Sequence, residues 1–398
     1  MEMNVLQLNK GAEKRLKQGH LWVYSNEVNV KATPLKLFTP GEQVVVKDHN
    51  GREMGVALMS PASLICGRLV SRDPKQRMDQ SLLVHRLKIA LSLRELAFDT
   101  PHYRLVFGDS DALPGLVVDR FGDVLVVQIS SVGMEILKEE IVAALEKVCK
   151  PKTILFKNNG KMRAPEALES YVKVALGEEI DEAPLEENGV KFLAPVVSGQ
   201  KTGWFYDHRM NRARLKDYVK GKRVLDLYSY VGGWGIQAAA FGAESVTCVD
   251  SSALALSYVA KNAALNSVED KVSSIEGDVI EVCRKLLEDG EKFDVVIVDP
   301  PAFIAKKKDI RNGERAYARM NNFAMRLLNK GGVLVSASCS MHLEYSRLVD
   351  IIRTNSRELD RSAQIFHQGH QGADHPLHPA IPETDYLKAY FARILPAS

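Results

Sequence analysis

In the first part of the chain, apolar and polar residues alternate in short runs: LWVYSNEVNV, GEQVVVKDHN, GVALMS and LICGRLV, divided by Gly, Pro and Asn. Such runs between turn formers predict strands, so residues 1–75 are expected to form a small β-rich domain. SRDPKQRMDQ breaks the pattern, and LLVHRLKIALSLREL then carries apolar residues at helical spacing. YRLVFGDSDALPGLVVDRFGDVLVVQIS predicts three strands with FGD as a tight turn, and a helix at EILKEEIVAALEKVCK and a strand at TILFKNN follow. Residues 76–185 therefore read as a central α+β domain. Acid-rich GEEIDEAPLEENG, a linker or a hairpin connection, lies at its end.

Over residues 186–398 the grammar changes. KRVLDLYSY, ESVTCVDSS, VSSIEGD, FDVVIVDPP and GGVLVSASCS each precede a helical stretch. This alternation predicts a doubly wound, mostly parallel sheet, whose ligands bind beyond the carboxyl ends of the strands. A late segment, FHQGHQGADHPLHPAIP, is expected to be a loop beside that pocket, ahead of a final strand YLKAYFARI.

Composition narrows the possibilities. A chain of 398 residues is too long for one core. Neither a signal segment in MEMNVLQLNKGAEKR nor an apolar run of membrane-spanning length is visible, so no membrane partner is expected. The five cysteines are odd in number, scattered and never in CxxC spacing, which argues against disulfides and zinc and for a reducing cytoplasm. His367, His370, His375 and His378 match no zinc spacing, so no metal is expected. The net charge of +3 neither demands nor excludes nucleic acid, and patches must decide. Lys14 and Arg15, in a basic run ahead of Trp22 and Tyr24, suit either RNA contact or a solvated face. Lys306, Lys307 and Arg311 follow the fourth strand of the alternating region, where phosphate contact competes with a solvated loop.

The strand ends carry the candidate chemistry. Asp226 precedes Tyr228, Gly232, Gly233 and Gly235, a turn that lets a ligand approach the backbone. Asp250 is placed to accept from ribose hydroxyls and Asp278 to meet an adenine amino group; for Asp226 and Asp250, helix capping and turn formation are the alternatives. GWGIQA also satisfies a dinucleotide pattern. The fourth strand ends in Asp299-Pro300-Pro301, a rigid corner suited to holding a planar base beside a methyl donor, and this favours S-adenosylmethionine over NAD. Cys339, at the end of the fifth strand, is either a small packing residue or a nucleophile.

LPGLVVDRFGDVLVVQ, SGQKTGWFYDHRMNR, VLDLYSYVGGWG, VDPPAF, SCS and HPLHPAIPETDYLK together make the chain resemble the bacterial 23S ribosomal RNA cytosine-C5 methyltransferase family, nearly end to end. Tyr228 and Trp234 stand where phenylalanine or a similar aromatic is expected. The resemblance implies a Rossmann-like class I methyltransferase domain preceded by a PUA-like RNA-binding domain and the α+β domain. It further implies S-adenosylmethionine as cofactor, with Lys201, Asp207 and Arg209 on its methionine side and Asp299 also in the cofactor set. The reaction implied is methylation of C5 of a cytosine in 23S ribosomal RNA, with Cys339 attacking C6 and Asp299 at the base edge. A homodimer is as compatible with the sequence as a monomer. The competing readings are an RNA guanine or adenine N-methyltransferase, which needs no thiol, and a non-catalytic RNA-binding protein.

Overall fold

Two five-stranded sheets, a two-stranded hairpin and one seven-stranded sheet organise the computed structural model, which describes residues 3–397. Residues 1, 2 and 398, at the outer ends of the first and last predicted domains, lie outside that range. The chain divides into two compact units. The first takes the chain up to Ala183 with Pro195–Trp204 and Ala373–Thr384; the second takes Pro184–Ala194, Phe205–Gly372 and the chain from Asp385 on.

In the first unit, β1 (Asn4–Gln7), α1 (Glu13–Lys17), β2 (Trp22–Tyr24), β3 (Gln43–Lys47), β4 (Glu53–Met59) and β5 (Ile65–Ser71) form a sheet of order β1-β3-β4-β5-β2. After it come α2 (Gln80–Ala97), β6 (His102–Phe107), β7 (Leu116–Phe121), β8 (Val124–Ile129), α3 (Val132–Ile136), α4 (Lys138–Cys149), β9 (Thr153–Asn158) and β10 (Tyr171–Leu176). Their strands make a second sheet, β10-β9-β8-β7-β6. FGD turns β7 into β8 with Gly122 at φ 63°. Fully buried Arg94 of α2 pairs bidentately with Asp111 and donates to the Asp374 carbonyl at 2.8 Å, which ties the late segment to this unit.

GEEIDEAPLEENG opens a hairpin of β11 (Ala183–Glu187) and β12 (Val190–Ala194). Asn188 and Gly189 both have positive φ, 55° and 77°, as a two-residue turn matching strand twist requires. The second unit continues with α5 (Arg209–Ala213), β13 (Arg223–Leu227), α6 (Gly233–Ala240), β14 (Ser245–Asp250), α7 (Ala253–Leu265), β15 (Val272–Glu276), α8 (Val279–Glu288), β16 (Phe293–Val298), α9 (Ile310–Leu327), β17 (Leu328–Ser338), α10 (Tyr345–Glu358), β18 (Arg361–Gly369) and β19 (Lys388–Pro396). Strands such as FDVVIV are almost continuously apolar because helices cover both faces. The order is β15-β14-β13-β16-β17-β19-β18, parallel except that β19 runs antiparallel to both its neighbours. The expected α/β architecture is thus observed. It departs from a dinucleotide-binding order, in which the strand after the fifth simply adds at the edge.

The late histidine segment differs from expectation. Its beginning is strand β18, and Ala373–Thr384 clusters with the first unit, where His375 is buried beside Asp374 at 3.0 Å and against Phe107. Among the described residues, no group of three or more His, Cys, Asp or Glu side chains is placed to hold a metal ion. No helix among them is long and apolar enough to cross a membrane.

Candidate active site at the carboxyl edge of the large sheet

β13 ends in a turn of unusual backbone. Tyr228 and Tyr230 lie in the left-handed region, at φ 62° and 50°, and Gly232 follows at 87°. Left-handed non-glycine residues are costly and persist where the surroundings enforce them. Asp226 is one of those enforcers. It is fully buried, and one carboxyl oxygen accepts the Gly235 N–H at 2.8 Å, fixing the start of α6 from beneath. Gly235 must be glycine, because a Cβ there would come within 2.6 Å of Cys248 Sγ. The second Asp226 oxygen is buried without a partner. Burial pushes this carboxyl up to about 8; nearby Asp299 and Asp250 act in the same sense, against the Gly235 N–H and Arg212.

Asp250, half-buried at the end of β14, accepts the Tyr230 N–H with one oxygen and the Ser252 N–H with the other, both at 2.9 Å. It holds two ligand-facing turns together. Asp278 caps α8 through the Ile280 and Glu281 N–H groups and remains exposed.

Asp299, at the end of β16, is gripped on both oxygens. Trp234 Nε1–H of α6 donates to one at 3.0 Å, and His208 Nε2 lies 3.1 Å from the other. Asn211 sets the ring: its amide nitrogen donates to the His370 carbonyl at 3.2 Å and faces His208 Nδ1 at 3.1 Å, so Nδ1 accepts and Nε2 carries the proton toward Asp299. Burial alone would lower the His208 pKa, but the charge and hydrogen bond of Asp299, with Asp207, raise it. The same Asn211 donor opposes a second ring proton.

Parallel pairing of Val298 with Ser336 brings Asp299-Pro300-Pro301 beside Ser338-Cys339-Ser340. Cys339 is half-buried, with Sγ 4.0 Å from the Pro300 carbonyl oxygen. Its serine neighbours are buried and both bond the Tyr317 hydroxyl at 2.8 Å, so the thiol sits on a segment pinned on either side. Sequence reasoning missed His208, although it stands between Asp207 and Arg209 in a segment already singled out. It also missed Lys388, which donates to the Ser340 carbonyl at 2.8 Å.

Residues 6–72 match a model described as a PUA-like domain, and residues 160–381 one described as an S-adenosylmethionine-dependent methyltransferase. "Ribosomal RNA large subunit methyltransferase I" of Cronobacter sakazakii is 35% identical over 395 residues, 98% of this chain and 99% of that protein. Its counterpart in Escherichia coli O139:H28 is also 35% identical, with the same coverage. This chain belongs to that family. Among solved structures, a candidate methyltransferase complexed with SAH superposes with a TM-score of 0.83 over 98% of this chain and 100% of that one, at 21% identity, a likeness of fold.

The family's cofactor is S-adenosylmethionine, and the site fits it. The left-handed turn and the carboxylates at successive strand ends offer what a nucleoside with an amino-acid tail needs. Tyr228, Gly232 and Gly233 of the turn, Asp250, Asp278 and Asp299 would hold it, with Asp226 shaping the turn from below. The other expected residues have contacts of their own. Asp207 is buried and accepts the Tyr386 hydroxyl at 2.7 Å; Arg209 is buried near Glu187 and over the Tyr206 ring. Lys201, exposed, belongs to the first unit. On the RNA side, Lys14 is exposed, but Arg15 is engaged with Glu27 at 2.7 Å and stacked over Tyr24. Lys306, Lys307 and Arg311 are exposed at the start of α9.

Proposed function

We propose that this protein methylates C5 of a cytosine in 23S ribosomal RNA through a covalent bond between Cys339 and C6. Family membership supports S-adenosylmethionine-dependent methylation of ribosomal RNA. The observation that carries the finer reading is a half-buried thiol 4.0 Å from the carbonyl of the corner that holds Asp299. N-methylation of a purine has no use for that thiol. All five cysteines are thiols, which suits a cytoplasmic enzyme.

C5 of cytosine is a weak nucleophile. The Cys339 thiolate adds to C6, forming S–C6 and breaking the C5–C6 π bond, whose electrons make C5 an enamine carbon. Asp299, oriented by Trp234 and His208, accepts hydrogen bonds from the N3 and N4 edge as N3 takes a proton from water, a proton returned to water when the aromatic ring is restored. S-adenosylmethionine, when bound, supplies the methyl group. A base then removes the C5 proton, the double bond re-forms and the thiolate leaves. Exposed Lys14 and the Lys306, Lys307 and Arg311 group would steer the RNA through its phosphates. Lys201, Asp207 and Arg209 remain proposed cofactor-side residues, and the threefold domain division is the frame for these assignments.

Incubation with 23S RNA containing 5-fluorocytidine tests the reading, because fluorine at C5 blocks the final elimination. A denaturation-resistant adduct that Cys339→Ala abolishes is expected. Methyl transfer to normal RNA with no adduct on the fluorinated RNA would sink it and point to N-methylation.

A further inference from the structure

Lys388 is a buried cation that the reaction above does not use. It opens β19 opposite Ser338, the residue before Cys339, and is 1% exposed. Its ammonium donates to the Ser340 carbonyl at 2.8 Å and the Tyr386 carbonyl at 3.1 Å, and lies 5.3 Å from the centre of the Tyr345 ring. Its partners are thus two carbonyl oxygens and an aromatic face, not a carboxylate. Asp385 is a nearby counter-charge but does not bond it; a buried ammonium held only by carbonyls is expensive, so its place next to the Cys339 peptide calls for a reason.

We propose that Lys388 is a positioning residue for the nucleophile: it fixes the peptide that follows Cys339 and supplies the positive charge that draws the thiol toward thiolate. This rests on the reading of Cys339 as nucleophile. Burial pushes the Lys388 ammonium down to about 8, while Asp385 and Cys339 act to raise it. An interaction between two charges is mutual, so the influence that keeps a proton on Lys388 also keeps one off Cys339. Two carboxylates face the pair and act against a thiolate, Asp385 beside Lys388 and Asp299 at the neighbouring corner, so the lysine charge must outweigh them. The Tyr317 hydroxyl on α9, bonded to Ser338 and Ser340, is raised by burial and stays neutral, as does the Tyr345 hydroxyl on α10, which donates to Asp385 at 2.7 Å. Of these groups only Lys388 is positive. A plain structural tether would hold the Ser340 carbonyl without moving the pH at which the thiol reacts. An electrostatic activator also sets the pH at which the thiol reacts.

The test is the rate of iodoacetamide alkylation at Cys339 against pH, read by peptide mass spectrometry on the full-length protein without RNA. The variants are Lys388→Met, which keeps the length and removes the charge, and Lys388→Arg, which keeps the charge. The wild-type midpoint is expected below the ordinary thiol value of about 8.5. It should rise by about one pH unit in Lys388→Met, roughly tenfold less thiolate at a pH below both midpoints, and return most of the way in Lys388→Arg. Equal midpoints in all three proteins would overturn the proposal. So would a wild-type midpoint at or above about 8.5, a result that needs no folded variant. Because RNA is absent, the outcome is separate from the fluorocytidine experiment: a missing adduct with a shifted midpoint removes the nucleophile and leaves the electrostatic coupling.

Discussion

Replacing Asp226 with asparagine should remove a pH dependence from the stability of the second unit. Asp226 is fully buried, and its carboxyl is pushed from an ordinary 3.8 up to about 8, chiefly by burial. Between those values the folded state keeps a proton that the unfolded chain releases. Stability contributed by this residue is therefore present below about pH 4 and falls as pH rises toward 8. The slope approaches about 1.4 kcal/mol per pH unit, so the step from pH 5 to pH 7 costs about 3 kcal/mol. Asparagine keeps an oxygen for the Gly235 N–H and places an amide nitrogen where the unpartnered oxygen stands. That costs about 1–3 kcal/mol, equally at every pH. The assay is urea unfolding at pH 5, 6 and 7, followed by hydrogen exchange in peptides of the second unit, since two units need not unfold together. Other titrating groups act alike in both proteins and cancel in the difference. A wild-type-minus-variant difference that shrinks or reverses between pH 5 and 7 is expected; one that stays constant would mean that Asp226 is ionised in the folded protein.

Gly235→Ala should destabilise the second unit by about 1–3 kcal/mol and weaken S-adenosylmethionine binding in calorimetry, because the new Cβ meets Cys248 Sγ at 2.6 Å and Asp226 Oδ2 at 3.0 Å. His208→Gln should keep the N–H to Asp299 and most of the single-turnover rate, whereas His208→Ala leaves the carboxylate short of a buried donor and should cost about 1–3 kcal/mol of transition-state stabilisation. Neutralising Lys306, Lys307 and Arg311 together should weaken RNA binding and flatten its dependence on log salt by about 2 if all three touch phosphate. S-adenosylmethionine affinity should be unchanged in the same protein.

The large sheet was legible because its strands are short apolar runs broken by acids and glycines, and each is followed by a helix. Its right-hand end was not. That β19 inserts between β17 and β18 is settled by which antiparallel partners pack best, and no local pattern in YLKAYFARI records it. The acids at the strand ends were visible as positions, but their hydrogen bonds were not. Capping and turn formation were the stated alternatives for Asp226 and Asp250; it is Asp278 that caps a helix, while Asp250 bridges the turns after β13 and β14 and Asp226 braces the first of these from below. The residues that sequence reasoning passed over act across long separations: His208 reaches Asp299 over 91 positions and Lys388 reaches Ser340 over 48. A histidine or lysine carries no local sign of its distant partner; only the fold supplies it. The same holds for Cys339. Its strand-end position could be read along the chain, but whether the thiol is activated depends on the charge that β19 brings next to it, and that neighbour is a product of the antiparallel insertion.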